Sequence, residues 1–153
     1  MNGNYLLDTN IAIARTNREA AVEQRVNASA AVFLACITVG ELFYGAQKSG
    51  RAAENVRRVQ AIVAANTVLV CDSGTAYHYG ITRSALRAKG RPIPDNDIWI
   101  AALAVQHNLT LATRDAHFTG RRRPDGRILV AQHRRKHCEH RRNAHSLAAY
   151  RSP

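Results

Sequence analysis

Four short apolar runs, separated by longer stretches of helical period, constrain this chain more than any other feature. They are Tyr5-Leu6-Leu7, Val32-Phe33-Leu34-Ala35, Thr67-Val68-Leu69-Val70 and Thr110-Leu111-Ala112. Each is too short to be a helix and lacks polar alternation, which suits a strand buried on both faces. Between the runs the period lengthens. Residues 11–15 can turn helical after the capping side chains of Asp8-Thr9-Asn10, and Asn17 is placed to cap a second short helix with Ala20, Ala21, Val22 and Val26. Thr38 and Glu41 have the spacing of a capping box, ahead of Leu42, Phe43 and Ala46. Residues 52–65 carry Val56, Val59, Ile62 and Val63 on one side, and residues 73–89 form a helix ended by Gly90. Pro92 and Pro94 precede a further helix, residues 95–107, with an apolar face of Ile98, Ala101, Ala102 and Val105. Strands alternating with helices predict an α/β fold, a central, mostly parallel sheet flanked by helices.

In such a fold ligands bind beyond the C-terminal ends of the strands. Asp8 and Asp115 each follow a strand directly, Glu41 lies in the helix after the second strand, and Asp97 lies in the first turn of the helix before the fourth. Taken alone, Asp95 and Asp97 read as helix-start residues, because the helix N-terminus is partially positive and tolerates a carboxylate. Taken together, Asp8, Glu41, Asp97 and Asp115 are expected to converge at one sheet edge.

Converging carboxylates repel one another, so they require protons, a basic partner or a cation. Arg114 and Lys89 are the nearby bases in the sequence. A divalent cation neutralises more charge. Mg²⁺ prefers hard oxygen ligands and keeps several waters, and such an ion activates water and stabilises a leaving oxygen, the requirements of phosphodiester hydrolysis. No His/Cys cluster in residues 1–120 has zinc-like spacing, and there is no Gly-rich phosphate loop.

The 153 residues suit one domain, and no apolar run reaches the length of a membrane span. Residues 1–8 do not read as a signal peptide, and Cys36, Cys71 and Cys138 are odd in number without metal-like spacing. Both features point to a reducing, cytoplasmic location. The net charge of +11 invites a polyanionic partner, but it is unevenly placed. Residues 1–120 hold 12 Lys/Arg against 9 Asp/Glu, whereas residues 121–153 hold 10 against 2. A boundary is therefore expected near Gly120.

The segments Leu6-Leu7-Asp8-Thr9-Asn10, Thr38-Val39-Gly40-Glu41-Leu42-Phe43-Tyr44-Gly45, Asp97-Ile98-Trp99-Ile100-Ala101-Ala102 and Leu111-Ala112-Thr113-Arg114-Asp115-Ala116-His117-Phe118 together resemble the four acidic motifs of PIN-domain nucleases. The likeness is greatest to VapC-type toxins of bacterial toxin–antitoxin pairs and covers about residues 4–120. It implies a Mg²⁺- or Mn²⁺-dependent endoribonuclease that acts on RNA, is held inactive by a cognate antitoxin, and forms a homodimer. By position it makes Asp8 and Asp97 the principal metal ligands, with Glu41 and Asp115 as the remaining catalytic carboxylates. Asp95 falls outside the motif and is left as a helix cap. Thr9 and Thr113 are expected to hydrogen-bond the carboxylates or a phosphate, or to serve only as turn residues.

The chain departs from the family after Gly120. VapC-type toxins usually end in a short edge strand resembling Gly-Val-Asp-Gly-Leu-Thr-Val, whereas here Arg121-Arg122-Arg123-Pro124-Asp125-Gly126-Arg127 follows. With CGN arginine codons, reading from the second base of codon 121 yields triplets able to encode Val-Asp-Gly-Leu-Thr-Val. The Arg/His-rich tail, residues 121–153, is thus read as disordered, as a frameshift product, or as a basic RNA-binding extension. Ile128-Leu129-Val130 still offers a last strand that would carry the domain to about residue 131. Two other functions compete. One is a PIN-fold RNA- or protein-binding domain whose activity was lost with its altered C-terminus. The other is an Asp8-nucleophile phosphatase, against which Asn10 counts, since that chemistry wants an aspartate there.

Overall fold

The computed structural model describes residues 3–90 and 92–114. The expected boundary near Gly120, the strand at residues 128–130 and the tail at residues 121–153 all lie outside this range. Ten elements follow in order: β1 (Asn4–Leu7), α1 (Thr9–Thr16), α2 (Ala20–Asn27), β2 (Ala31–Ala35), α3 (Cys36–Gln47), α4 (Ala52–Ala64), β3 (Thr67–Leu69), α5 (Ser73–Ala88), α6 (Asp95–Gln106) and β4 (Thr110–Ala112). The four strands form one sheet in the order β3-β2-β1-β4, and every pairing is parallel. β1 is therefore central, with Leu7 opposite Leu34 on one side and Ala112 on the other.

Alternation along the strands divides the core between the two faces. Leu6, Ala35 and Leu111 pack with Ile100, Leu103 and Ala104 of α6, and Phe33 lies against the same cluster. Leu7 and Leu34 point the other way, into a cluster with Ala12 of α1, Leu42 and Ala46 of α3, and Val59 of α4. α6 is buried over much of its circumference, at Ile98 and Ile100–Ala104. Its inner side meets the sheet, and α5 packs along it from outside. At the far end, Gln106 of α6 donates from Nε2 to Asp72, the residue capping α5, at 2.8 Å. No helix among the described residues is long and apolar enough to cross a membrane.

Several local expectations are corrected. Thr38 does not cap a helix. β2 passes directly into α3 through Ala35, and Thr38, fully buried inside the helix, donates its hydroxyl to the Leu7 carbonyl at 3.4 Å. Asn17 closes α1 rather than opening α2, whose N-cap is Glu19. Asp95 is not a cap either, because α6 starts after Pro94 with no side-chain cap. Asp95 instead accepts from the Tyr79 hydroxyl at 3.3 Å and pairs with Arg83 at 3.5 Å, which ties α6 to α5. The expected end of α5 holds: Gly90 adopts a positive φ of 63° just beyond it, and Asn108 does the same at 53° beyond α6.

Candidate active site

Asp8 stands at the C-terminal end of the central strand and is the N-cap of α1. It is almost wholly buried. A carboxylate in that position needs donors, and neutral groups supply them. Oδ1 accepts from the Thr9 backbone N–H at 2.7 Å, and Oδ2 accepts from the Thr113 hydroxyl at 2.6 Å and from Asn10 Nδ2 at 3.0 Å. The Asp8 N–H donates to the Ala112 carbonyl at 2.9 Å, continuing the β1–β4 ladder to the point where the carboxylate leaves it. Asn10 completes a clip across the two strand ends. Its amide also reaches the Thr113 hydroxyl at 3.2 Å, and its Oδ1 accepts from the Arg114 N–H at 3.1 Å. An aspartate in its place would lack these donors, and the amide cannot act as a general acid or base in phosphoryl transfer. The phosphatase alternative loses its residue here.

Glu41 lies in the second turn of α3. Its Oε2 accepts from the Thr9 hydroxyl, and its Oε1 accepts from Asn96 Nδ2 at 2.7 Å. These two bonds bring three helices together: Thr9 opens α1 beside Asp8, and Asn96 lies in the first turn of α6 beside Asp97. The Asn96–Glu41 and Thr9–Glu41 bonds hold the N-terminus of α6 at the edge where β1 ends. Asp97 is half-buried there, in the first turn of α6, where the helix N-terminus favours negative charge. Asp8, Glu41 and Asp97 are thus carried to one sheet edge by adjoining elements, and Asp115 lies outside the described residues.

Sequence reasoning anticipated Thr9 and Thr113 as carboxylate partners. It missed the role of Asn96, and the only available signal was its place next to Asp97. Arg114 is engaged elsewhere. Its guanidinium holds Glu19 at 2.5 Å, which raises the arginine above its ordinary range and holds Glu19 below the usual carboxylate value.

Among the described residues, no three Asp, Glu, His or Cys side chains gather closely enough to hold an ion by themselves. The donors at this edge are nevertheless all hard oxygens. Mg²⁺ and Mn²⁺ suit such donors, and Mg²⁺ commonly binds through one or two carboxylates while retaining water. The residues fit that kind of ion and do not fit zinc.

The arrangement of a buried aspartate after the central parallel strand, a glutamate on the following helix layer and an aspartate opening the helix before the last strand is matched by a known family. The PIN domain family model covers residues 5–123. The chain belongs to the PIN-domain family. Among curated relatives, this PIN domain is 33% identical over 115 residues to "Ribonuclease VapC1" of Haemophilus influenzae, with 72% of this chain and 86% of the relative covered. It is 34% identical over 113 residues to "tRNA(fMet)-specific endonuclease VapC" of Shigella flexneri, with the same coverage of 72% and 86%. Among solved structures, DNA-bound VapBC from Salmonella typhimurium superposes with a TM-score of 0.73 at 31% identity, covering 82% of this chain and 96% of that one. VapBC-1 from nontypeable Haemophilus influenzae superposes with a TM-score of 0.66 at 32% identity, covering 73% and 87%.

Proposed function

We propose that this PIN domain is a metal-dependent endoribonuclease and the toxin of a toxin–antitoxin pair, acting on RNA in the cytoplasm. The observation that carries the reading is the buried Asp8 carboxylate, fixed by Thr9, Asn10 and Thr113 at the end of the central strand. The same edge carries Glu41 and the first turn of α6 with Asp97. Relatives named ribonucleases and VapBC complexes support it.

Asp8 and Asp97 are the proposed ligands of a Mg²⁺ or Mn²⁺ ion, and Asp115 is the proposed fourth carboxylate. When bound, the ion supplies charge neutralisation and Lewis-acid activation for attack of water on the phosphodiester. The chain's own residues set the geometry. Thr113 and Asn10 hold Asp8 in one orientation, so its carboxylate keeps a fixed direction. Thr9 and Asn96 fix Glu41 by one donor on each oxygen, which sets the direction of its carboxylate at this edge. A cognate antitoxin and a second copy of the chain are the proposed partners.

The test is cleavage of mixed RNA by the purified protein with added Mg²⁺ or Mn²⁺, beside the Asp8→Asn and Asp97→Asn variants. Cleavage that EDTA abolishes and both variants lose supports the reading. Cleavage that persists in the variants, or its absence in the wild type freed of antitoxin, overturns it.

A further inference from the structure

At the C-terminal ends of β2 and β3, one pair of thiols has no role in the function above. Cys36 opens α3 directly after β2, and Cys71 lies just beyond β3 in the segment leading into α5. β2 and β3 are paired in parallel with Ala35 opposite Leu69, so the strand register delivers both cysteines to the same end of the sheet. Their sulfurs are 3.9 Å apart, and both are free thiols. Cys71 is exposed and Cys36 half-buried, so a small reagent can enter from the Cys71 side.

We propose that Cys36 and Cys71 form a reversible dithiol site that a low-molecular-weight disulfide, such as oxidised glutathione, converts into an intramolecular disulfide bond. A disulfide needs its sulfurs at about 2.05 Å, and side-chain rotation about Cα–Cβ is the movement available to close the gap. Both backbones are anchored. Cys36 is held in a helix, and Cys71 precedes Asp72, whose N–H donates to the Thr75 hydroxyl at 3.0 Å and whose carboxylate caps α5.

The exchange balances in two steps. One cysteine, as its thiolate, attacks a sulfur of the small disulfide and forms a mixed disulfide, and one small thiolate leaves and takes a proton. The second cysteine then gives up its proton and attacks the protein sulfur of the mixed disulfide, releasing the other small thiol. Two protein thiols are oxidised to one disulfide, and one small disulfide is reduced to two thiols. Partial burial of its sulfur, followed by the neighbouring Cys36 and Asp72, pushes Cys71 up to about 11, although the residue as a whole is exposed. At neutral pH it is therefore mostly a protonated thiol, which slows its own attack on a disulfide.

The bond would join the first turn of α3, the helix that carries Glu41, to the segment before α5, and close a loop through α3, α4 and β3. The site stands on its own geometry, whether or not the nuclease reading holds.

The test uses the full chain with Cys138→Ser, leaving only the two thiols of interest, together with Cys36→Ser and Cys71→Ser made on that background. Each protein is incubated with oxidised glutathione and examined by intact mass and thiol titration. The expected product of the two-thiol protein is a monomer lighter by about 2 Da, for two hydrogens lost, with no titratable thiol. Dithiothreitol restores it, and its thermal midpoint is raised by about 5–10 °C over the reduced form. The single-thiol variants end as glutathione adducts. Peptide mapping of the oxidised wild-type chain, free of any substitution, is expected to recover Cys36 linked to Cys71. A two-thiol protein that ends with glutathione on both cysteines, as a disulfide-linked dimer, or with both thiols unreacted where the single-thiol variants are fully modified, overturns the proposal. So does wild-type mapping that lacks the linked peptide.

Discussion

Thr113 is buried and gives its hydroxyl to Asp8, so its value is electrostatic rather than steric. Thr113→Val keeps the shape and removes the donor, leaving a buried carboxylate short of one charge-assisted bond. A loss of about 1–3 kcal/mol in folding stability is expected, read from urea unfolding midpoints. Asn96→Leu removes the donor on Glu41 Oε1 from an exposed position. RNA cleavage is expected to fall about tenfold while the circular dichroism spectrum is unchanged, and an undiminished rate would show that Glu41 needs no such restraint. Asp97→Asn is expected to abolish cleavage yet leave the thermal midpoint unchanged or slightly raised, since it removes one of several like charges near one edge. At this scale the sequence was legible where chemistry is local. Asp8 follows an apolar run and its neighbours are small polar residues, so its placement could be read directly. The Asn96–Glu41 bond joins residues 55 apart in sequence, and nothing in the local pattern announces it. Asp95 misled for the same reason, because its partners Tyr79 and Arg83 come from another helix.

The α5–α6 pair shows how elements were read correctly while their joints were not. Helical period located both helices, and Gly90 marked the C-terminal end of α5. The start of α5 is held by Asp72, Thr75 and Gln106, a three-way contact that spans two elements. The Thr75 N–H first, then the Gln106 amide, hold Asp72 below the usual carboxylate value of 3.8. A lowered folded-state value means the contribution is fully present above pH 3.8 and is lost as pH falls through the lower folded value. Asp72→Asn keeps a capping side chain without the titration. The stability gap between wild type and this variant, measured by thermal melts from pH 6 downwards, is therefore expected to shrink below that carboxylate value. α3 carries the opposite lesson: Thr38 and Glu41 have capping-box spacing, yet the box did not form, because β2 enters the helix without a turn and burial gave the Thr38 hydroxyl to Leu7. That failure leaves Glu41 available to Thr9 and Asn96.

For the molecule as a whole, alternating runs sufficed to predict a parallel sheet with helices on both faces, because burial on both sides leaves few other arrangements. Strand order was not legible, since it depends on which crossovers pass over β1. The family match ends at residue 123, and the residues after it carry net positive charge at a higher density than the part it covers. Residues 124–153 hold 7 Lys/Arg against 2 Asp/Glu. A chain ending at residue 123 is expected to bind RNA with a shallower dependence on salt concentration than the full chain, as measured by titration at several ionic strengths. An identical slope would mean that these charges do not meet RNA.

The strand order also fixes a sequence of events during synthesis. β1 is the first strand to leave the ribosome and β4 the last of those described, yet the two are neighbours. Asp8 receives its Thr113 bond only when a residue 105 positions later has been made. No shorter nascent chain can hold that carboxylate as the finished protein does. If the edge cuts RNA, the machinery that translates the message is protected from its own product until almost the entire domain has been built.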